Sequence, residues 1–76
     1  MSRYNYSKLK GRIIEKYNTQ DNFAKALNKP PQRISGVLNN KFTLDQDEVT
    51  KWAECLEIPL DQYGIFFFAY EVHESE

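Results

Sequence analysis

The side chains best equipped for chemistry lie close together, between positions 20 and 41. Gln20, Gln32, Arg33, Ser35, Asn39, Asn40 and Lys41 bring amide, guanidinium, hydroxyl and ammonium groups, which donate and accept hydrogen bonds. That is recognition chemistry. Bond-making chemistry finds no support: no nucleophile stands in a pattern with a base, and no glycine-rich phosphate loop is present. His73 is the only histidine and sits among acids near the end of the chain, where simple exposure is expected. Cys55 is the only cysteine, which rules out a disulfide within one chain and, with no Cys or His nearby, argues against a structural metal. It borders an apolar stripe, so partial burial is expected rather than reactivity. Asp45, Asp47 and Glu48 have the look of a metal cluster, but helix capping accounts for them more simply. The expectation is a binding protein, not an enzyme, with neither metal nor cofactor.

Positioning these groups requires helices. Leu9, Ile13, Ile14 and Tyr17 form one helical stripe, with Ser7 as its N-cap and Asn18 as its end. A second helix opens at the N-cap Thr19, carries Asp21 at the positive end of its dipole, and buries Phe23, Ala24 and Leu27. Asn28 closes it, because asparagine tolerates the left-handed conformation better than most residues. After Lys29 and Pro30, Pro31 suits the first position of a third helix over 31–39, where a missing N–H costs nothing. Ile34, Val37 and Leu38 point inward there, which leaves Gln32, Arg33, Ser35, Gly36 and Asn39 outward. Asp45 and Glu48 read as a capping box for a fourth helix with Val49, Trp52, Ala53 and Leu56 inside. A fifth short helix starts at 58–61. Residues 65–72 suit either a strand face (Phe66, Phe68, Tyr70, Val72) or a helical one (Tyr63, Phe66, Phe67, Tyr70); the reading adopted is helix to about Phe67, then an extended tail.

Seventy-six residues make one domain with a modest core. The net charge of −1 conceals a division along the chain. Residues 1–41 hold nine basic residues against two acids, and residues 42–76 hold one base against nine acids. Such a split suggests one pole that faces phosphates and one that faces away, although an uneven solvated surface would look the same. The polar start of the chain shows no secretory signal, and the apolar run 65–70 is too short to span a bilayer, so a cytoplasmic protein is expected.

The segment QDNFAKALNKPPQRISGVLNNK, residues 20–41, resembles the helix-turn-helix of the Cro and lambda-repressor superfamily. The matching features are Gln20 at the start of the second helix, the small Ala24, the turn residue Asn28, the branched Ile34, and Leu38-Asn39-Asn40-Lys41 at the close. Two helices crossing steeply leave room for only a small side chain between them, which Ala24 supplies. The opening Tyr6-Ser7-Lys8-Leu9-Lys10-Gly11, the 45–49 run and the ending through Phe68 extend the likeness to small Cro-like regulators of lysogeny switches in phages of Gram-positive bacteria. Asn28 departs from a commoner glycine. Pro31 replaces a side chain that is often polar, though its ring offers a surface to a thymine methyl.

The resemblance implies an all-α, five-helix Cro/CI-type helix-turn-helix domain over residues 1–76, with its helix-turn-helix at 19–40 and an aromatic segment at 65–76. It further implies that helix 31–39 lies in the major groove of double-stranded operator DNA. Gln32 then matches adenine, Arg33 forks onto guanine or a phosphate, Ser35 contacts either, and Gly36 lets the helix approach closely. Gln20 bonds a phosphate from a helix N-terminus, and Asn39, Asn40 and Lys41 hold the backbone. One helix reads few base pairs, so a homodimer is expected, with half-sites about 34 Å apart. Phe66, Phe67, Phe68 and Tyr70 are the candidate interface, some packing on the domain and the rest on the partner. The family also includes antirepressor-like modulators that pair with a phage repressor. Gln32, Arg33 and the basic first half favour the DNA-binding reading; Pro31 and the net charge favour the modulator.

Overall fold

The computed structural model describes residues 4–69. Five α-helices and one 3-10 turn follow one another: α1 Ser7–Tyr17, α2 Gln20–Leu27, α3 Pro31–Leu38, α4 Gln46–Leu56, the 3-10 turn Leu60–Gln62, and α5 Tyr63–Phe67. The fold is all-α, with no strand among the described residues.

Helix ends explain most of this layout. Thr19 caps α2 by accepting the Asn22 N–H at 3.1 Å, and the Asn22 amide donates to the Tyr17 carbonyl at the end of α1. Asp45 and Glu48 form a reciprocal capping box on α4. Among the described residues four other than glycine have positive φ, and three of them are Asn18, Asn28 and Asn40. The fourth, Glu57, ends α4 with φ 58 and ψ 44, and its carboxylate reaches Lys16 at 3.1 Å. Pro31 confines the residue before it to extended backbone, so Pro30, with ψ 146, turns the chain sharply into α3. Ser7 is not the N-cap of α1. It is the first helical residue; Tyr6 holds the N-cap position without a side-chain cap bond, and the Asn5 side chain accepts the Ser7 N–H (3.0 Å) and hydroxyl (2.7 Å).

The core lies where α1, α2, α3, α4 and α5 converge. Leu9, Ile13, Phe23, Ala24, Ile34, Val37 and Leu56 are fully enclosed. Ala24, on α2, is fully enclosed, so a larger side chain there would have to displace its core neighbours. Phe23 lies edge-on to Trp52 at 5.0 Å and tilts against Tyr17 at 5.3 Å. The third helix ends at Leu38, one residue earlier than its periodicity indicates, because Asn39 leaves helical geometry and Asn40 turns left-handed. The alternating pattern at 65–72 does not become a strand within the described residues; α5 runs to Phe67, and Tyr70 and Val72 lie outside them.

A strap joins the two ends of the described chain. The Asn40 side chain accepts the Tyr4 N–H at 2.9 Å and donates to the Tyr4 carbonyl at 3.0 Å, while the Asn5 N–H donates to the Ala69 carbonyl at 2.6 Å. Tyr6 packs beneath, and burial pushes its phenol above the ordinary range, with Tyr4 adding to the effect. Asn40→Ala removes both side-chain bonds to Tyr4 and puts at φ 63 a residue that tolerates positive φ less well than asparagine. It is expected to cost about 2–3 kcal/mol, and Asn40→Gly, which keeps the turn, less. Thermal melts check this; equal midpoints for parent and Asn40→Ala would refute the strap.

Candidate recognition face

The outward side of α3 is built from Gln32, Ser35 and Asn39, all exposed, with Pro31 exposed at its first position. Lys41 follows the left-handed turn at Asn40, its N–H bonded to the Gly36 carbonyl at 2.8 Å, and Phe42 folds back along the helix. Together Gln32, Ser35, Gly36, Asn39, Lys41 and Phe42 line a shallow groove of about 310 Å3. Within it the Asn39 amide donates to the Ser35 hydroxyl at 3.3 Å.

Gly36 is buried, and the reason is internal. A β-carbon there would overlap the Phe42 ring. Glycine in mid-helix costs about 1 kcal/mol relative to alanine, and here the missing side chain makes the seat for an aromatic ring of the same chain. The close approach anticipated at Gly36 is thus already occupied by Phe42. Phe42 itself is 47% exposed and forms the apolar end of the groove. Sequence reasoning overlooked it. The usable signal was a helical glycine followed by an Asn-Asn turn and a lone aromatic.

Arg33 does not project freely. Its Nε and one terminal nitrogen grip the Glu48 carboxylate at 3.2 and 2.6 Å, and that terminal nitrogen also donates to the Thr43 carbonyl at 3.0 Å. The guanidinium carbon lies 5.4 Å from the centre of the Phe42 ring. Both partners of this ion pair are largely withdrawn from water, with side chains 28% and 18% exposed. The guanidinium edge formed by Nε and one terminal nitrogen is thus occupied by the chain's own carboxylate. Lys41 makes no ion pair among the described residues and is the one cation lining the groove. Asn40 faces the N-terminal strap with both polar atoms of its amide engaged. Gln20 stands half-buried at the first position of α2.

The aromatic end divides three ways. Phe67 is 2% exposed, packed edge-on to Tyr63 at 5.7 Å, so it belongs to the core of its own chain and is unavailable to a partner. Phe66 is half-buried beneath the Arg12 guanidinium, 5.2 Å from its ring centre. Phe68 is 50% exposed, with Tyr4 edge-on at 6.5 Å. Tyr70 lies outside the described residues. No group of three or more His, Cys, Asp or Glu able to hold a metal occurs among the described residues. Cys55 is half-buried, and the carbonyl of that residue accepts the Tyr17 hydroxyl at 3.0 Å.

The described residues thus define a small all-α fold of five helices with an amide-rich outward face on α3. By sequence, the chain belongs to the family described as Protein of unknown function (DUF739), whose model matches residues 1–70. It is similar to a solved structure, the modulator of repression (MOR) of the temperate bacteriophage TP901-1 from Lactococcus lactis. The two share 40% sequence identity over 92% of this chain and 95% of that one, with a TM-score of 0.78. No curated protein matches in sequence.

Proposed function

We propose that this chain modulates repression in a temperate phage by pairing with the phage repressor, and that it presents the α3 face to do so. The observation that carries this reading is the Arg33–Glu48 pair. A helix that reads guanine needs its arginine fork free, and here the fork is neutralised within the domain. What remains outward is uncharged amide and hydroxyl groups around a half-exposed phenylalanine, with one lysine at the edge. That composition suits a protein surface, where aromatic anchors ringed by polar groups carry much of the binding energy. The likeness to a phage modulator of repression supports the same reading. Such a protein would act in the cytoplasm of the bacterial host.

A second reading keeps one specific observation in its favour. The buried Ala24 of α2 and the left-handed Asn28 between α2 and α3 support the resemblance to the Cro and lambda-repressor helix-turn-helix. Gln32, Ser35, Asn39 and Lys41 are outward as DNA contacts would need to be. In that reading a homodimer would bind a two-fold operator, using Phe66 and Phe68 between copies.

An electrophoretic shift on the phage's own operator separates the two. The expected result is no salt-sensitive shift by the isolated protein, and an altered repressor–operator complex when both proteins are present. Phe42→Ala is expected to weaken repressor pairing by about ten- to a hundredfold while leaving the fold intact, since the ring is half in water. Sharp, salt-dependent operator binding by the isolated chain would overturn the proposal in favour of the second reading.

A further inference from the structure

Glu48 carries two separate duties. As the third residue of α4 it closes the capping box, its carboxylate oxygen accepting the Asp45 N–H at 3.2 Å. A glutamine serves that duty as well as a glutamate, because the box requires an acceptor and not a charge. The negative charge is therefore surplus to the cap. It is used on Arg33, held by two nitrogens to two oxygens across fifteen positions of sequence.

We infer that Glu48 determines what the α3 face accepts, by withholding Arg33 from nucleic acid. The inference rests on the protein-pairing function proposed above and gives it a specificity-determining residue. The physical argument is a comparison of states. Turning the guanidinium outward exchanges one charge-assisted fork for another, which gains little. It also forfeits the Thr43 carbonyl and the Phe42 ring, both of which hold the guanidinium in its present place. The carboxylate left behind would then be unpaired, partly buried and beside a polyanion, so each step opposes DNA. Without the charge at position 48, the same backbone would offer a free arginine on an amide-rich helix.

The test is a double-mutant cycle on Glu48→Gln and Arg33→Ala, read by fluorescence anisotropy with a short DNA duplex of arbitrary sequence. Salt is varied between about 50 and 200 mM. Glu48→Gln is expected to bind about tenfold more tightly than the parent at the lowest salt, with a salt slope steeper by roughly one. Arg33→Ala is expected to change the parent's affinity by less than about twofold and to abolish the gain in the Glu48→Gln background. A cooperatively melting Glu48→Gln protein with no gain overturns the inference, as does an equal effect of Arg33→Ala in both backgrounds. Should Glu48→Gln fail to fold, the parent background still decides: a loss above about threefold on Arg33→Ala would show that the arginine was never withheld. Repressor pairing is measured separately, without DNA, so failure of the proposed function and failure of this inference give different results.

Discussion

Phe23→Ala is expected to destabilise the domain by about 3–5 kcal/mol, a large part of its total stability. Phe23 is completely enclosed, and its ring is the contact through which α2 holds α1 and α4, with Tyr17 tilted on one side and Trp52 edge-on at the other. Removing a buried phenylalanine costs about 3–5 kcal/mol, because the transfer energy is lost and the cavity collapses only in part. The aromatic pair with Trp52 adds to that cost through its edge-to-face geometry. At about 0.05–0.15 kcal/mol per residue, a 76-residue domain has roughly 4–11 kcal/mol in all. The substitution therefore removes from about a quarter of the stability to all of it, and the melting temperature is expected to fall by about 12–40 °C. Trp52, the only tryptophan, touches the altered site and reports unfolding by its own fluorescence. An unfolding free energy from urea titration within about 1 kcal/mol of the parent's would mean that the helices are held by something other than this ring.

Phe67→Ala is expected to cost about 3–4 kcal/mol, and the loss will be the same in dilute and concentrated solution. A five-residue helix has no stability of its own, so α5 persists through what it buries against α1. Phe67 is the deeply buried residue on it, with Phe66 and Tyr63 only half covered. Loss of the ring should release α5 and, with it, the Asn5–Ala69 bond of the strap. Concentration supplies the discriminating readout. A residue in a domain's own core shifts the melt equally at every concentration, whereas a residue in a seam between copies makes the midpoint concentration-dependent. Phe68→Ala, with its ring half in water, should cost less than about 1 kcal/mol. Melts at two concentrations, with sedimentation beside them, check both. A Phe67→Ala midpoint that recovers with concentration would return this ring to an interface between chains.

The helices were legible because their signals are local. Thr19, Asn28, Pro31 and the Asp45–Glu48 box act on groups within a few positions of themselves, so residue type and spacing are enough to read them. The stripe that names Phe23, Ala24, Ile34, Val37, Trp52 and Leu56 as core follows from the helical period alone. The cap of α1 escaped the same reasoning because Asn5 and Ser7 are both good capping residues two positions apart, and only the path of the chain puts Tyr6 at the N-cap position between them. The aromatic end was ambiguous for a different reason. A run of apolar residues fits periods of two and of 3.6 equally, so which phenylalanine turns inward depends on where α5 meets α1.

By itself, then, the sequence determined five helices, their turns, an outward polar face on α3, and a core stripe of which Ile14, expected inside, proves half exposed. Tertiary structure alone decided how that face is furnished. Glu48 comes to Arg33 from fifteen positions away, Tyr4 comes to Asn40 from thirty-six, and Phe42 lies back over Gly36. Side-chain chemistry says what each group can bond; which partner it finds depends on the packing of separate helices, and packing is not periodic in sequence.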